Sequence, residues 1–169
     1  MPRVVLFSTD AALTAADVLS QTEAWNGDPL ELVWVSLGPV PGTTPFNPAS
    51  GWPRTEPGPP GASRPIHGWA ATPAQAEGSA TGPGPSPATL TRKQAEARAV
   101  GDGRRLWAAV ENDEGVAAFV TGADALTAVD LGGVRAAYHL ARRHQVPIAT
   151  HGLVPCLVEL EARAAGRAS

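Results

Sequence analysis

The stretch running from G-D-G-R-R-L-W-A-A-V (101–110) to V-P-I-A-T-H-G (146–152) decides the fold. It reads as helix, strand, loop, helix and strand in succession, with aspartates where strands should end. Residues 89–111 have a helical pattern, with a break expected near Gly101-Asp102-Gly103. The apolar run G-V-A-A-F-V-T (115–121) reads as a strand that ends at Gly122-Ala123-Asp124. Residues 131–144 form a helix whose Arg/His-rich end suits the negative pole of the helix dipole. Residues 145–150 give a short strand, and 153–165 a closing helix.

Working outward, R-V-V-L-F-S (3–8) is a short apolar strand stopped by Thr9-Asp10. Residues 11–25 place Leu13, Ala16, Val18, Leu19 and Trp25 roughly on one helical face, with Thr9 or Asp10 as N-cap. Asn26-Gly27-Asp28-Pro29 signals a turn, and 30–37 is an apolar second strand of the kind found inside parallel sheets. Strand and helix alternate, so the expected architecture is a single α/β domain over 1–169. It is three-layered and doubly wound around a mainly parallel sheet.

From about residue 38 to 87 the character changes. This Pro/Gly-rich insertion holds most of the prolines and shows little hydrophobic periodicity. Structureless segments of that length are uncommon in compact domains. Trp52, Ile66 and Trp69 are the residues able to pin it to the core or to form a lid or a subunit contact, and it has room for a further short strand.

Composition narrows the functional classes. At 169 residues a single domain buries roughly 70% of its unfolded surface. The net charge of −3 argues against nucleic acid, which calls for a basic face. The arginines at 92–105 and 135–143 fall on expected helices, where they read as solvated faces. Cys156 is the single cysteine, so neither an internal disulfide nor a cysteine metal cage can form, and the thiol reads as buried and inert. The opening M-P-R-V-V-L-F-S-T-D has too short an apolar run for a signal peptide or a membrane span, so a soluble, cytoplasmic protein without a membrane partner is expected. Heavy use of Ala, Gly, Pro and Arg beside a single Lys suggests a high-GC bacterial genome. No metal is expected, because His139 and His144 lie five apart and form no paired motif with His151. No organic cofactor is expected either, since Gly101 and Gly103 lack a third glycine and follow no strand.

Four aspartates, Asp10, Asp102, Asp124 and Asp130, sit where strands or loops meet helices. Each alone is an ordinary cap or turn residue. Together they carry more, because all carboxyl ends in a parallel sheet face one side, where ligands bind. Carboxylates gathered there repel one another, which raises at least one pKa toward neutrality and suits acid–base chemistry.

Val100-Gly101-Asp102-Gly103, Asp124-Ala125-Leu126 and Val146-Pro147-Ile148-Ala149-Thr150-His151, in that order, resemble the motifs of the methylglyoxal synthase-like family. The likeness covers about 65 C-terminal residues well and the first 25 loosely, and leaves out the Pro/Gly-rich middle. It implies the methylglyoxal synthase-like, Rossmann-like fold and a homo-oligomer that acts on or binds a small phosphorylated metabolite. The implied reaction is a carbon–oxygen lyase step, from dihydroxyacetone phosphate to methylglyoxal and phosphate. By position Asp102 would be the base, and Asp10 and Asp124 would line the site. Gly42-Thr43-Thr44 resembles the family's phosphate turn. His151 ends the last strand in the same region.

The chain also departs from the family. Thr9 stands where a histidine follows the first strand, Asp130 where the catalytic histidine would be, and Gly133 where an aspartate would be. No lysine lies among Ala11–Val18. The same fold also serves as a ligand-sensing domain in carbamoyl phosphate synthetases, which suits a site lacking acid and base groups. The run from Asp130 to Ala141 resembles nucleoside deoxyribosyltransferases as well, but Ala136 and Ala137 replace the nucleophilic glutamate.

Overall fold

The computed structural model describes residues 1–38, 42–45, 66–72 and 91–167. Six strands, β1 (Arg3–Ser8), β2 (Glu31–Ser36), β3 (Thr44–Pro45), β4 (Ile66–Ala70), β5 (Ala125–Ala128) and β6 (Ala149–His151), form one sheet in the order β3-β4-β2-β1-β5-β6. Every adjacent pair is parallel. Among the described residues the helices are α1 (Ala15–Ser20), α2 (Arg92–Val110), α3 (Glu114–Val120), α4 (Val134–His144) and α5 (Leu153–Arg167). Among the described residues no helix is long and apolar enough to cross a membrane.

Alternation along β1 sorts its side chains between two cores. Val5 and Phe7, with Val33 and Val35 of β2, pack under Leu106 and Val110 of α2, Val116 and Phe119 of α3 and Leu140 of α4. Val4 and Leu6, with Leu32 and Trp34, pack under Ala15 and Val18 of α1 and Leu153, Cys156 and Leu157 of α5. The result is a three-layer α/β/α sandwich. Both faces of β1 and β2 are covered, which is why their sequences are almost continuously apolar.

Several sequence expectations are corrected. Residues 114–120 form helix α3 rather than a strand. Asp113 caps it through Val116 N–H at 2.9 Å, and Val116, Phe119 and Val120 bury one face at helical i, i+3, i+4 spacing. The strand lies just beyond, at 125–128. No break occurs at Gly101-Asp102-Gly103, where α2 runs continuously. The first helix is shorter than 11–25, and its N-cap is Thr14, in a capping box with Asp17. The helix over 131–144 begins at Val134, and the last strand is Ala149–His151. The insertion supplies two strands, β3 and β4. Ile66 is buried in one core and Trp69 packs against the other, while Trp52 lies outside the described residues.

The strand order places the functional region. The chain leaves β1 for β2 on one side, then returns to β5 on the other, so the topology switches between β1 and β5. The loop after β1 leads to α1 on one face, and the loop after β5 leads to α4 on the opposite face. Between two diverging loops a doubly wound sheet opens its binding crevice.

Candidate functional site at the switch point

A cleft of about 610 Å³ opens at this point, within the size range of small-molecule sites. Three segments line it: Thr9 to Ala12 after β1, Asp130 to Gly132 after β5, and the face of α2 bearing Ala95, Arg98, Ala99 and Asp102. Asp10, Asp102 and Asp130, far apart in sequence, thus border one cleft. The convergence holds for three of the four aspartates.

Asp124 is the exception, and the reassigned strand explains it. It precedes β5 instead of ending a strand, so it sits at the opposite end of the sheet. There its carboxylate accepts the Arg3 N–H at 2.9 Å. It borders a different cavity, of about 420 Å³, with Met1, Trp25, Asp28, Pro147 and Arg163. Two polar side chains of that cavity make local bonds. The Trp25 indole donates to the Asp28 carbonyl at 2.7 Å, and Arg163 donates to the Pro147 carbonyl at 3.0 Å.

The three cleft carboxylates differ in what they hold. Asp130 is the most engaged. One oxygen accepts from the Ser8 hydroxyl, from Thr9 N–H at 2.7 Å and from Asp10 N–H at 3.0 Å. The other accepts from the Thr9 hydroxyl at 3.2 Å and from Gly133 N–H at 2.9 Å. Asp102 is half-buried on α2, bonded to Arg105 and 3.6 Å from Arg98. Asp10 is exposed and accepts Ala12 N–H at 2.9 Å. Sequence reasoning missed Arg98 and Arg105, which it read as part of a solvated face. Their i,i+4 and i,i+3 spacing from Asp102 was the available signal.

Glycines set how closely these parts approach. A Cβ on Gly103 would lie 2.7 Å from the Gly132 carbonyl oxygen. One on Gly132 would meet the Thr9 hydroxyl at 1.9 Å, and one on Gly133 the Phe7 carbonyl at 2.3 Å. Small residues at these positions let α2 and the loop after β5 close on the end of β1.

His151 ends β6 in register with Ala128, exposed, and is not among the cleft's lining residues. Gly42 has φ +82° and lies against Ala15, while Thr43 packs over Gly68 and Thr44 enters β3. Neither Gly42 nor Thr43 lines the cleft. Ala136 and Ala137, where the deoxyribosyltransferase likeness needs a nucleophile, are buried in the core. Among the described residues no group of three or more His, Cys, Asp and Glu side chains could hold a metal ion. Comparison of the chain with protein-family models, with curated proteins and with solved structures returns no match in any of the three.

Proposed function

We propose that the protein binds a small phosphorylated metabolite in the switch-point cleft, in the manner of the ligand-sensing members of the methylglyoxal synthase-like fold. The observation that carries this reading is the convergence of Asp10, Asp102 and Asp130 with Arg98 at the diverging ends of β1 and β5. Arg98 is half-exposed and supplies a guanidinium matched to phosphate oxygens. Asp10 and Asp102 supply acceptors for a ligand's hydroxyl groups.

Binding is favoured over turnover for two reasons. The oxygens of Asp102, the base that the resemblance assigns, already face Arg98 and Arg105. The positions of the family's histidines hold Thr9 and Asp130, and Asp130 is committed to five donors.

The test is titration of the protein with dihydroxyacetone phosphate by calorimetry, with methylglyoxal release followed in parallel. Saturable binding that weakens at least tenfold in Arg98→Gln, without release, is the expected result. Release that disappears in Asp102→Ala would convert the reading to a lyase. Neither binding nor release from folded protein would refute both.

A further inference from the structure

We propose that Asp130 is the resident anion of a preformed backbone nest, and that it closes this strand end to phosphate and so determines specificity. Consecutive N–H groups of Thr9 and Asp10 point at one oxygen, the arrangement by which turns cradle anions. The N–H of Gly133, which opens α4, points at the other. Two hydroxyls, from Ser8 and Thr9, complete the set. A strand end and a helix start that converge in this way commonly hold a phosphate in α/β folds. Here the anion is covalently part of the chain.

The sequence after Asp130 is built for this. Gly132 and Gly133 come so near Thr9 and the Phe7 carbonyl that any side chain would collide, and only that approach brings the carboxylate within reach of the β1 donors. A phosphate entering the same space would find its donors taken and a like charge in place. The anionic end of a ligand is therefore directed to Arg98 on α2, and its hydroxyls to the strand ends. This last step rests on the proposed metabolite binding; the nest itself does not.

The experiment is chemical rescue. Thermal unfolding of wild type, Asp130→Ala and Asp130→Asn is followed against formate, with chloride holding the ionic strength constant. Asp130→Ala removes the carboxylate from these donors, although the Asp10 N–H keeps the Ser8 hydroxyl at 3.1 Å, so formate should raise its midpoint saturably, by about 5 °C at high occupancy. Wild type and Asp130→Asn, whose space is filled, should not respond. Rescue should persist in Asp130→Ala/Arg98→Gln. If Asp130→Ala does not fold in buffer, refolding from denaturant with formate reads the same property: recovery supports the proposal and failure overturns it. A folded Asp130→Ala that ignores formate, or a wild type that responds equally, would also overturn it. Inorganic phosphate binding by wild type that survives Arg98→Gln would sink the closure of the nest while leaving metabolite binding intact. Formate rescue in a protein that binds no metabolite would do the reverse.

Discussion

Two glycines on one helix should respond oppositely to the same substitution. Gly101 and Gly103 both lie within α2, yet a Cβ at Gly101 meets nothing within 4 Å, while one at Gly103 sits 2.7 Å from the Gly132 carbonyl oxygen. In a helix interior Ala is favoured over Gly by about 0.8–1 kcal/mol. Gly101→Ala should realise that gain almost fully. At Gly103 the same gain is opposed by overlap with a backbone atom. A relaxed carbon–oxygen contact needs about 3.3 Å, so helix and loop must separate by about 0.6 Å. Overpacking of this kind costs about 1–3 kcal/mol, which leaves Gly103→Ala destabilised by about 1 kcal/mol net. The variants should therefore differ by about 2 kcal/mol, or about 4–8 °C in midpoint for a chain of this size. Thermal and urea unfolding, run side by side, measure it. Because Asp102 and Arg98 ride on α2, Gly103→Ala should also weaken any ligand held in the cleft, and Gly101→Ala should not. Equal stabilisation of both variants would refute the close approach of α2 to the loop after β5. Destabilisation by Gly101→Ala would refute the unbroken helix.

Other outcomes follow from buried groups. Burial pushes the Cys156 thiol up to about 11, with a weaker opposing effect of the Thr150 hydroxyl, so a thiol reagent at pH 8 should modify it only as fast as the protein unfolds. Rapid labelling under native conditions would contradict its placement beneath the sheet. Burial holds His67 below its ordinary 6.5, partly offset by the Glu31 carboxylate. The unfolded state then binds the proton more readily, so this contribution is present above pH 6.5 and is lost as pH falls through the folded value. His67→Gln should flatten the fall in unfolding midpoint on acidification just below pH 6.5, and an unchanged slope would remove His67 as its source. Phe119 is fully buried in the core beneath α2 and α4, so Phe119→Ala should lose about 3–5 kcal/mol in urea unfolding. A loss under about 1 kcal/mol would be inconsistent with α3 packing on the sheet.

How much of this was legible in the sequence varies with the distance over which each feature is decided. The strands 3–8 and 31–36 were readable because a parallel strand covered on both faces must be nearly all apolar, and that is a local property. So was the basic C-terminal turn of α4. The run 115–121 was misread because a short apolar stretch satisfies strand and helix patterns alike. The arbitrating signals, Asp113 as cap and burial at 116, 119 and 120, were local but weaker than the apolar run itself. That one error carried Asp124 to the wrong end of the sheet.

What the sequence determined by itself was the layered α/β class, the apolar faces and the residues with chemical capacity, since these depend on composition and near-neighbour spacing. Strand order, and with it the meeting of Asp10, Asp102 and Asp130, was decided only by the tertiary structure. The donors that hold Asp130 lie across sequence separations of 120 or more on the β1 side and only 3 at Gly133. No local pattern encodes which strand becomes the neighbour of β1. Burial of two apolar cores at once selects that neighbour, and the carboxylates are brought together as its consequence.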